Sequence, residues 1–342
     1  MKKSSLLLVS VLLSAILFTA RAGEQQKEPF MTRNFPAASI KSVEATTSGG
    51  SITVTGDAGT QAVVEVFISR DKWSNERIKE VLDENYTIDI KVEGGKLYAV
   101  AKQKGSISWN QQGLSISFKI SVPKQVNSEL KTSGGSIHIA GLTGSQEFKT
   151  SGGSLTVENL SGNINGTTSG GSINVANSSD NINLKTSGGS ITANDCSGKI
   201  NMRTSGGSIR MNHLDGTVDA STSGGSITAN GVNGTLKAGT SGGSVKLNGI
   251  SGNVEAKTSG GSMEVNMEAV SDYVKLTNSG NTTLSVPAEK GYNLKVKANK
   301  IDTSGLKDYR GNIDSRNMEG TIGNGGPEIE IKTSQKANVT FR

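Results

Sequence analysis

Residues 186–203 read TSGGSITANDCSGKINMR and residues 204–221 read TSGGSIRMNHLDGTVDAS, two 18-residue lines that superpose column by column. The string Thr-Ser-Gly-Gly-Ser that opens both also begins at Thr132, Thr150, Thr168, Thr222, Thr240 and Thr258, always 18 residues apart and without a slip. A ninth copy, Thr47 to Ser51, stands alone upstream. A fixed period of this kind marks a solenoid, in which each repeat is one unit stacked on the next. Flexible low-complexity linkers have composition without register.

With the Thr as position one, position six runs Ile137, Leu155, Ile173, Ile191, Ile209, Ile227, Val245, Met263, and position eight runs Ile139, Val157, Val175, Ala193, Met211, Ala229, Leu247, Val265. Position fifteen is apolar from Ile164 to Val254, with Gln146 the exception; position seventeen runs from Phe148 through Gly166, Leu184 and Met202 to Ala256. Thr, Asn, Lys, Arg and Asp fill the places between. This is period-two alternation, the mark of strands with one buried face. Gly at position four has a partner nine residues on, at Gly144, Gly162, Gly198, Gly216, Gly234 and Gly252, with Asp180 once in its place. Each repeat is therefore two half-coils, a Gly-containing turn followed by a short strand. An apolar residue at position eleven (Leu142, Leu160, Cys196, Leu214, Val232, Ile250) plugs the turn between them.

The expected fold is all-β: a right-handed parallel β-helix, or β-solenoid, of 18-residue coils with two main sheets. Eight coils stacked at about 4.8 Å span roughly 38 Å, and parallel crossovers favour the right hand. A left-handed hexapeptide helix would need apolar residues at position twelve, which holds Thr143, Ser161, Ser179, Ser197, Asp215, Asn233 and Ser251. Four or five buried side chains per coil contribute about 1.5–3 kcal/mol each, against roughly 1–2 kcal/mol for ordering each of 18 backbones. One coil cannot fold alone, so stability accumulates between neighbours and the ends need caps.

The expected organisation is a signal peptide at 1–22, irregular N-terminal coils and a cap at 23–131, the regular array at 132–266, and irregular C-terminal coils with a cap at 267–342. Lys2 and Lys3, the apolar run Leu6–Phe18 and Ala20-Arg21-Ala22 have the layout of a cleaved secretory signal, and no later stretch is apolar enough to span a bilayer. Export leaves the periplasm, the cell surface or secretion as the destination. Within the N-terminal part, Ala62–Ser69, Tyr86–Val92, Lys96–Ala101 and Ser115–Val122 alternate as strands. Between them, Ile78, Val81 and Leu82 at helical spacing predict a short helix over Ser74–Glu84, capped by Ser74 and placed to cover the open N-terminal end.

Composition agrees with a thin repeated cross-section: 44 Gly and only 4% aromatic residues in 342. Without Lys2, Lys3 and Arg21 the chain keeps 33 basic against 30 acidic residues, with both signs spread along it, which is no footprint for nucleic acid. Cys196 stands where neighbouring repeats have Leu, Val and Ile and reads as a small buried residue.

The recurrent Thr-Ser-Gly-Gly-Ser-Ile, the Ser121-Val122-Pro123 lead-in and the closing Gly320-Thr-Ile-Gly-Asn-Gly-Gly-Pro327-Glu-Ile-Glu-Ile331 resemble a large bacterial family of exported β-strand-repeat proteins built on a domain of unknown function and described as adhesins. The resemblance covers most of the mature chain and implies an exported β-solenoid with an adhesive role and no catalytic residues.

The chemistry-bearing residues are scattered. His138 and His213 fall four coils apart, both facing outward. Position nine holds Asn in five successive coils, Asn194, Asn212, Asn230, Asn248 and Asn266, which reads as a stacked amide ladder in preference to a sugar-binding strip. Asp180, Asp195 and Asp215 occupy different repeat positions, unlike the regular ligands of a calcium β-roll. Ice binding fails because position seven mixes His, Thr, Asn, Arg, Lys and Glu. The sequence thus predicts no catalytic, cofactor or metal site, and a non-enzymatic scaffold or adhesin whose partner is an envelope protein or glycan, with end-to-end or edge self-association open to it. The alternative is a carbohydrate-active enzyme on a parallel β-helix, for which Asp215 and Asp219, in one repeat, are the candidate carboxylate pair.

Overall fold

A computed structural model describes residues 28–105 and 113–342; the predicted signal peptide lies outside the described residues. The described residues are all-β apart from one α-helix and a short 3-10 turn. In the array, strands pair in parallel with the residue 18 positions on: Ile173 faces Ile191, Ile182 faces Ile200 and Val218 faces Leu236. Each coil contributes to two ladders, as Ile191–Asn194 and Ser197–Thr204 illustrate. The columns at positions six, eight, eleven, fifteen and seventeen are buried, from Ile191, Ala193 and Cys196 to Ile200 and Met202.

From Ile209 onward the two ladders are not separate. Single strands, Ile209–Thr222, Ile227–Thr240 and Val245–Thr258, run through both half-coils. Their corner residues Leu214, Val232 and Ile250 pair with one another. The two sheets expected from the sequence are here joined round the corner into one hydrogen-bonded sheet. The bend comes from position ten, where Asn159, Asn177, Asp195, His213, Gly231 and Gly249 all have φ between 49° and 68°. Asn, Asp and Gly tolerate that left-handed conformation best.

Gln146, the polar exception in an apolar column, is fully buried. Its side chain donates to the Val126 carbonyl (2.7 Å) and accepts from the Ser128 hydroxyl (2.5 Å), so neither end is left unsatisfied. Two coordinates of position seventeen compensate each other: a Cβ on Gly166 would lie 2.4 Å from Cε2 of Phe148. The ring of one coil thus uses the space that the next coil vacates. Gly166→Ala is expected to destabilise by about 1–3 kcal/mol, and adding Phe148→Leu to it should recover part of that loss. Urea melts of the single and double variants measure the coupling.

At the N-terminal end the expectation of irregular coils needs correction, because several of these strands run antiparallel. Ser42–Thr46 and Ile52–Thr55 form a coil that is flanked on one side by Asn127–Lys131 and Ile137–Ala140. On the other side it pairs with Lys96–Gln103 and Ser115–Ser121. The isolated copy Thr47–Ser51 therefore stacks directly on the first regular copy, and Thr132 Oγ1 donates to the Gly50 carbonyl at 2.8 Å. Outside this coil, Tyr86–Glu93 pairs antiparallel with Lys96–Gln103; Gln61–Ser69 does so with Ser115–Ser121, and Met31–Pro36 with Gln61–Ser69. A reversed strand cannot continue the parallel winding, so it terminates each ladder. The helix Asn75–Asn85 forms where its spacing predicts, with the Ser74 hydroxyl accepting from the Arg77 N–H. It links Gln61–Ser69 of one ladder to the end strand Tyr86–Glu93 of the other, and its Ile78, Val81 and Leu82 join the core.

The C-terminal end is built alike. Glu328–Thr333 and Lys336–Phe341 insert between Met263–Val286 on one side and Tyr292–Lys297 and Lys300–Ser304 on the other. Asn317–Ile322 then pairs antiparallel with Tyr292–Lys297, and Tyr309–Ile313 pairs antiparallel outside it.

Candidate functional site

The most conspicuous motif is occupied with holding the coils together. The Thr204 hydroxyl, buried at 6% exposure, donates to the Gly189 carbonyl of the preceding coil (2.8 Å) and accepts the Gly207 N–H of its own (3.2 Å). The same pair of bonds recurs at Thr150, Thr168, Thr186, Thr222 and Thr240. Position five adds a second row, since the Ser208 N–H donates to the Ser190 hydroxyl at 3.1 Å and Ser226 repeats this on Ser208 at 3.2 Å. Sequence reasoning passed over the buried role of Thr, although a signal existed: Thr continues the inward parity of positions fifteen and seventeen into the next coil.

The Asn column is a ladder. Nδ2 of Asn212, Asn230, Asn248 and Asn266 donates in turn to Oδ1 of the Asn one coil earlier, at 2.8, 3.0, 3.4 and 2.8 Å. Each internal amide thus gives one bond and takes one, which binds coils and leaves fewer groups free for a ligand. A second amide pair, Asn181 to Asn163 at 3.1 Å, lies on the other ladder and was missed because it spans only two coils.

The remaining candidates do not converge. His213 is exposed, and its Nδ1 lies 3.3 Å from Oδ1 of Asp195 in the adjacent coil; His138 sits on the first regular coil. Asp215 accepts from Nδ2 of Asn233 (2.7 Å), whereas Asp219 faces Arg203 at 3.3 Å. Cys196 is buried, its thiol 3.2 Å from the Asn194 carbonyl, and burial pushes its pKa up, away from the thiolate that reactivity requires. Among the described residues no cluster of three or more His, Cys, Asp or Glu could hold a metal ion.

One concave place on the outer surface does combine an aromatic ring with charge. Strand Ser42–Thr46 and the hairpin of Tyr86–Glu93 with Lys96–Gln103 form an open depression of about 460 Å³, lined by Glu44, Thr87, Asp89, Lys91, Glu93, Tyr98, Val100 and Lys102. Alternation turns Tyr98 outward between the buried Leu97 and Ala99. The ammonium of Lys91 lies 5.8 Å and that of Lys96 5.2 Å from the ring centre, within reach of its electron-rich face. Lys91 also bridges Asp89 (3.5 Å) and Glu93 (3.3 Å), and Lys96 meets Glu44 at 2.5 Å. The Glu93 carboxylate holds Lys91 above the ordinary lysine range, as Glu44 does Lys96. The depression is thus a preorganised set of acceptors and donors around one ring.

No helix among the described residues is long and apolar enough to cross a membrane. No curated protein matches the chain. Among solved structures, a protein of Clostridium sporogenes ATCC 15579 described as a "putative cell adhesion protein" aligns at 12% identity over 91% of this chain and 98% of its own, with a TM-score of 0.19. A "putative adhesin" of Bacteroides fragilis NCTC 9343 aligns at 13% identity over 91% of this chain and 96% of its own, with a TM-score of 0.24. Residues 233–337, from the second half of the Thr222 coil into the strand Lys336–Phe341, match the family described as Toastrack DUF4097.

Proposed function

We propose that the chain is an exported, non-enzymatic β-solenoid, wound right-handed, whose outer face serves as an adhesive or scaffolding surface at the cell envelope. The supporting observation is the division of labour within each coil. The invariant Thr, Gly and Ser of the repeat are engaged in bonds between coils, while the outward positions vary and stay polar. Such a chain carries a long, rigid, regularly spaced surface, and among the described residues the chemistry-bearing side chains considered above do not converge. Within that surface the Tyr98 depression is the binding place: a ring face suits the C–H face of a sugar, and Glu44, Asp89 and Glu93 accept from its hydroxyls. Retention of the chain beginning at Gly23 on immobilised peptidoglycan, polysaccharides and envelope proteins tests the reading. Tyr98→Ala is expected to weaken retention at least about tenfold, the equivalent of 1.4 kcal/mol. Unchanged retention would move the site elsewhere, and no retention on any support would remove the adhesive role.

The hydrolase alternative has less behind it. Asp215 and Asp219 each have a different partner. Moreover, the carboxyl groups whose pKa is displaced, Asp57, Glu129 and Glu330 among them, are all held below the usual range by hydrogen bonds. A general acid at neutral pH needs the opposite displacement. Reducing-sugar release that Asp215→Asn abolished would reinstate the enzyme.

A further inference from the structure

The two ends of the solenoid differ in a complementary way. Among the described residues, the outermost strands at the N-terminal end, Met31–Pro36 and Tyr86–Glu93, each pair on one side only. At the C-terminal end Tyr309–Ile313 likewise has a single neighbouring strand. A strand paired on one side leaves a row of backbone donors and acceptors open to another chain. The two large hydrophobic side chains that remain exposed among the described residues sit at these opposite ends. Phe30 (44% exposed) precedes the first edge strand, and Ile313 (51%) closes the last. Charge follows the same polarity. Residues 70–93, holding the N-terminal helix and edge strand, carry seven acidic and five basic residues; residues 287–327, the C-terminal excursion, carry seven basic and five acidic.

We propose that the N-terminal end of one copy seats on the C-terminal end of a second copy, head to tail. Open edges supply hydrogen bonds, Phe30 and Ile313 supply apolar contact, and the opposite net charges orient the approach. The two surfaces are different, so the contact is heterologous and repeats from copy to copy, giving open chains and not a closed pair. Such stacking prolongs the solenoid axis and multiplies whatever its outer face binds.

Sedimentation velocity of the chain beginning at Gly23, over a roughly hundredfold concentration range, is expected to show a mass that keeps rising. Salt raised from about 50 to 500 mM should weaken assembly at least about threefold. Two charge-reversed variants on exposed side chains make the test specific: Asp83→Lys with Glu84→Lys at one end, Lys297→Glu with Lys307→Glu at the other. Each variant alone should stay monomeric, and an equal mixture should assemble again, because each then offers the end that the other can accept. Recovery in the mixture also shows that both variants are folded. A wild-type chain monomeric throughout, growth that stops at two copies, or variants that assemble alone as the wild type does would each overturn the proposal.

Discussion

Gly207→Ala is expected to destabilise the chain by about 3 kcal/mol or more, while Gly206→Ala, one residue earlier in the same motif, changes stability by no more than about 1 kcal/mol. Neither glycine has a left-handed φ, so the difference is one of space. A Cβ on Gly207 would stand 2.0 Å from the carbonyl oxygen of Gly189 and 2.6 Å from the N of Ser190, both backbone atoms of the preceding coil. Relief requires separating two coils that are bonded along both ladders. The same shift would disturb the Gly207 carbonyl, which accepts from Thr222 at 2.8 Å. At Gly206 the nearest atoms are 3.5 and 3.6 Å away, ordinary contact, and Ala there lowers the entropy of the unfolded chain. Paired denaturant melts of the two variants decide it; equal losses would mean that the motif keeps two glycines for backbone freedom.

Removing one whole coil should be far milder than removing half of one. Deleting Thr186–Arg203 joins Lys185 to Thr204. Thr204 then takes the place from which Thr186 donates to the Gly171 carbonyl, and Ile209 and Val218 fall opposite Ile173 and Ile182. One repeat and one interface are lost, and the product should melt cooperatively a few degrees lower. Deleting Thr186–Asn194 instead places Asp195 where a hydroxyl donor is required, setting a carboxylate against a carbonyl. It also carries Thr204 to the left-handed position ten, which β-branched residues avoid. Every later coil arrives half a turn out of step. Circular dichroism and solubility should show a folded protein for the first deletion and none for the second.

The array was legible because one face of each strand is buried. Alternation at positions six, eight, fifteen and seventeen reports that face directly, and a slip of one residue would invert it. The same parity would have identified the motif Thr as buried, had its polarity not suggested the surface. The left-handed turn at position ten was hidden because Gly, Asn, Asp and His all fill it. Layer order at the ends was not legible for a different reason: strands 42–55 and 328–341 find their partners across long excursions, and alternation says nothing about which strand lies beside which. Nor does it tell parallel from antiparallel, so the terminating strands looked like further coils. The Tyr98 depression depends on that antiparallel hairpin and escaped notice with it.

The inward placement of the last strands has a consequence for how the protein is made. Glu328–Phe341 lies between the coil of Met263–Val286 and the later-stacked strands Tyr292–Lys297 and Lys300–Ser304. Residues 292–304 emerge first yet reach the coil of Met263–Val286 only through residues 328–341. A chain interrupted anywhere before residue 328 would keep an unsealed edge on its last complete coil. Closure of that coil thus waits on residues 328–341, and copies interrupted before them carry an open edge where the longer ones carry a paired strand.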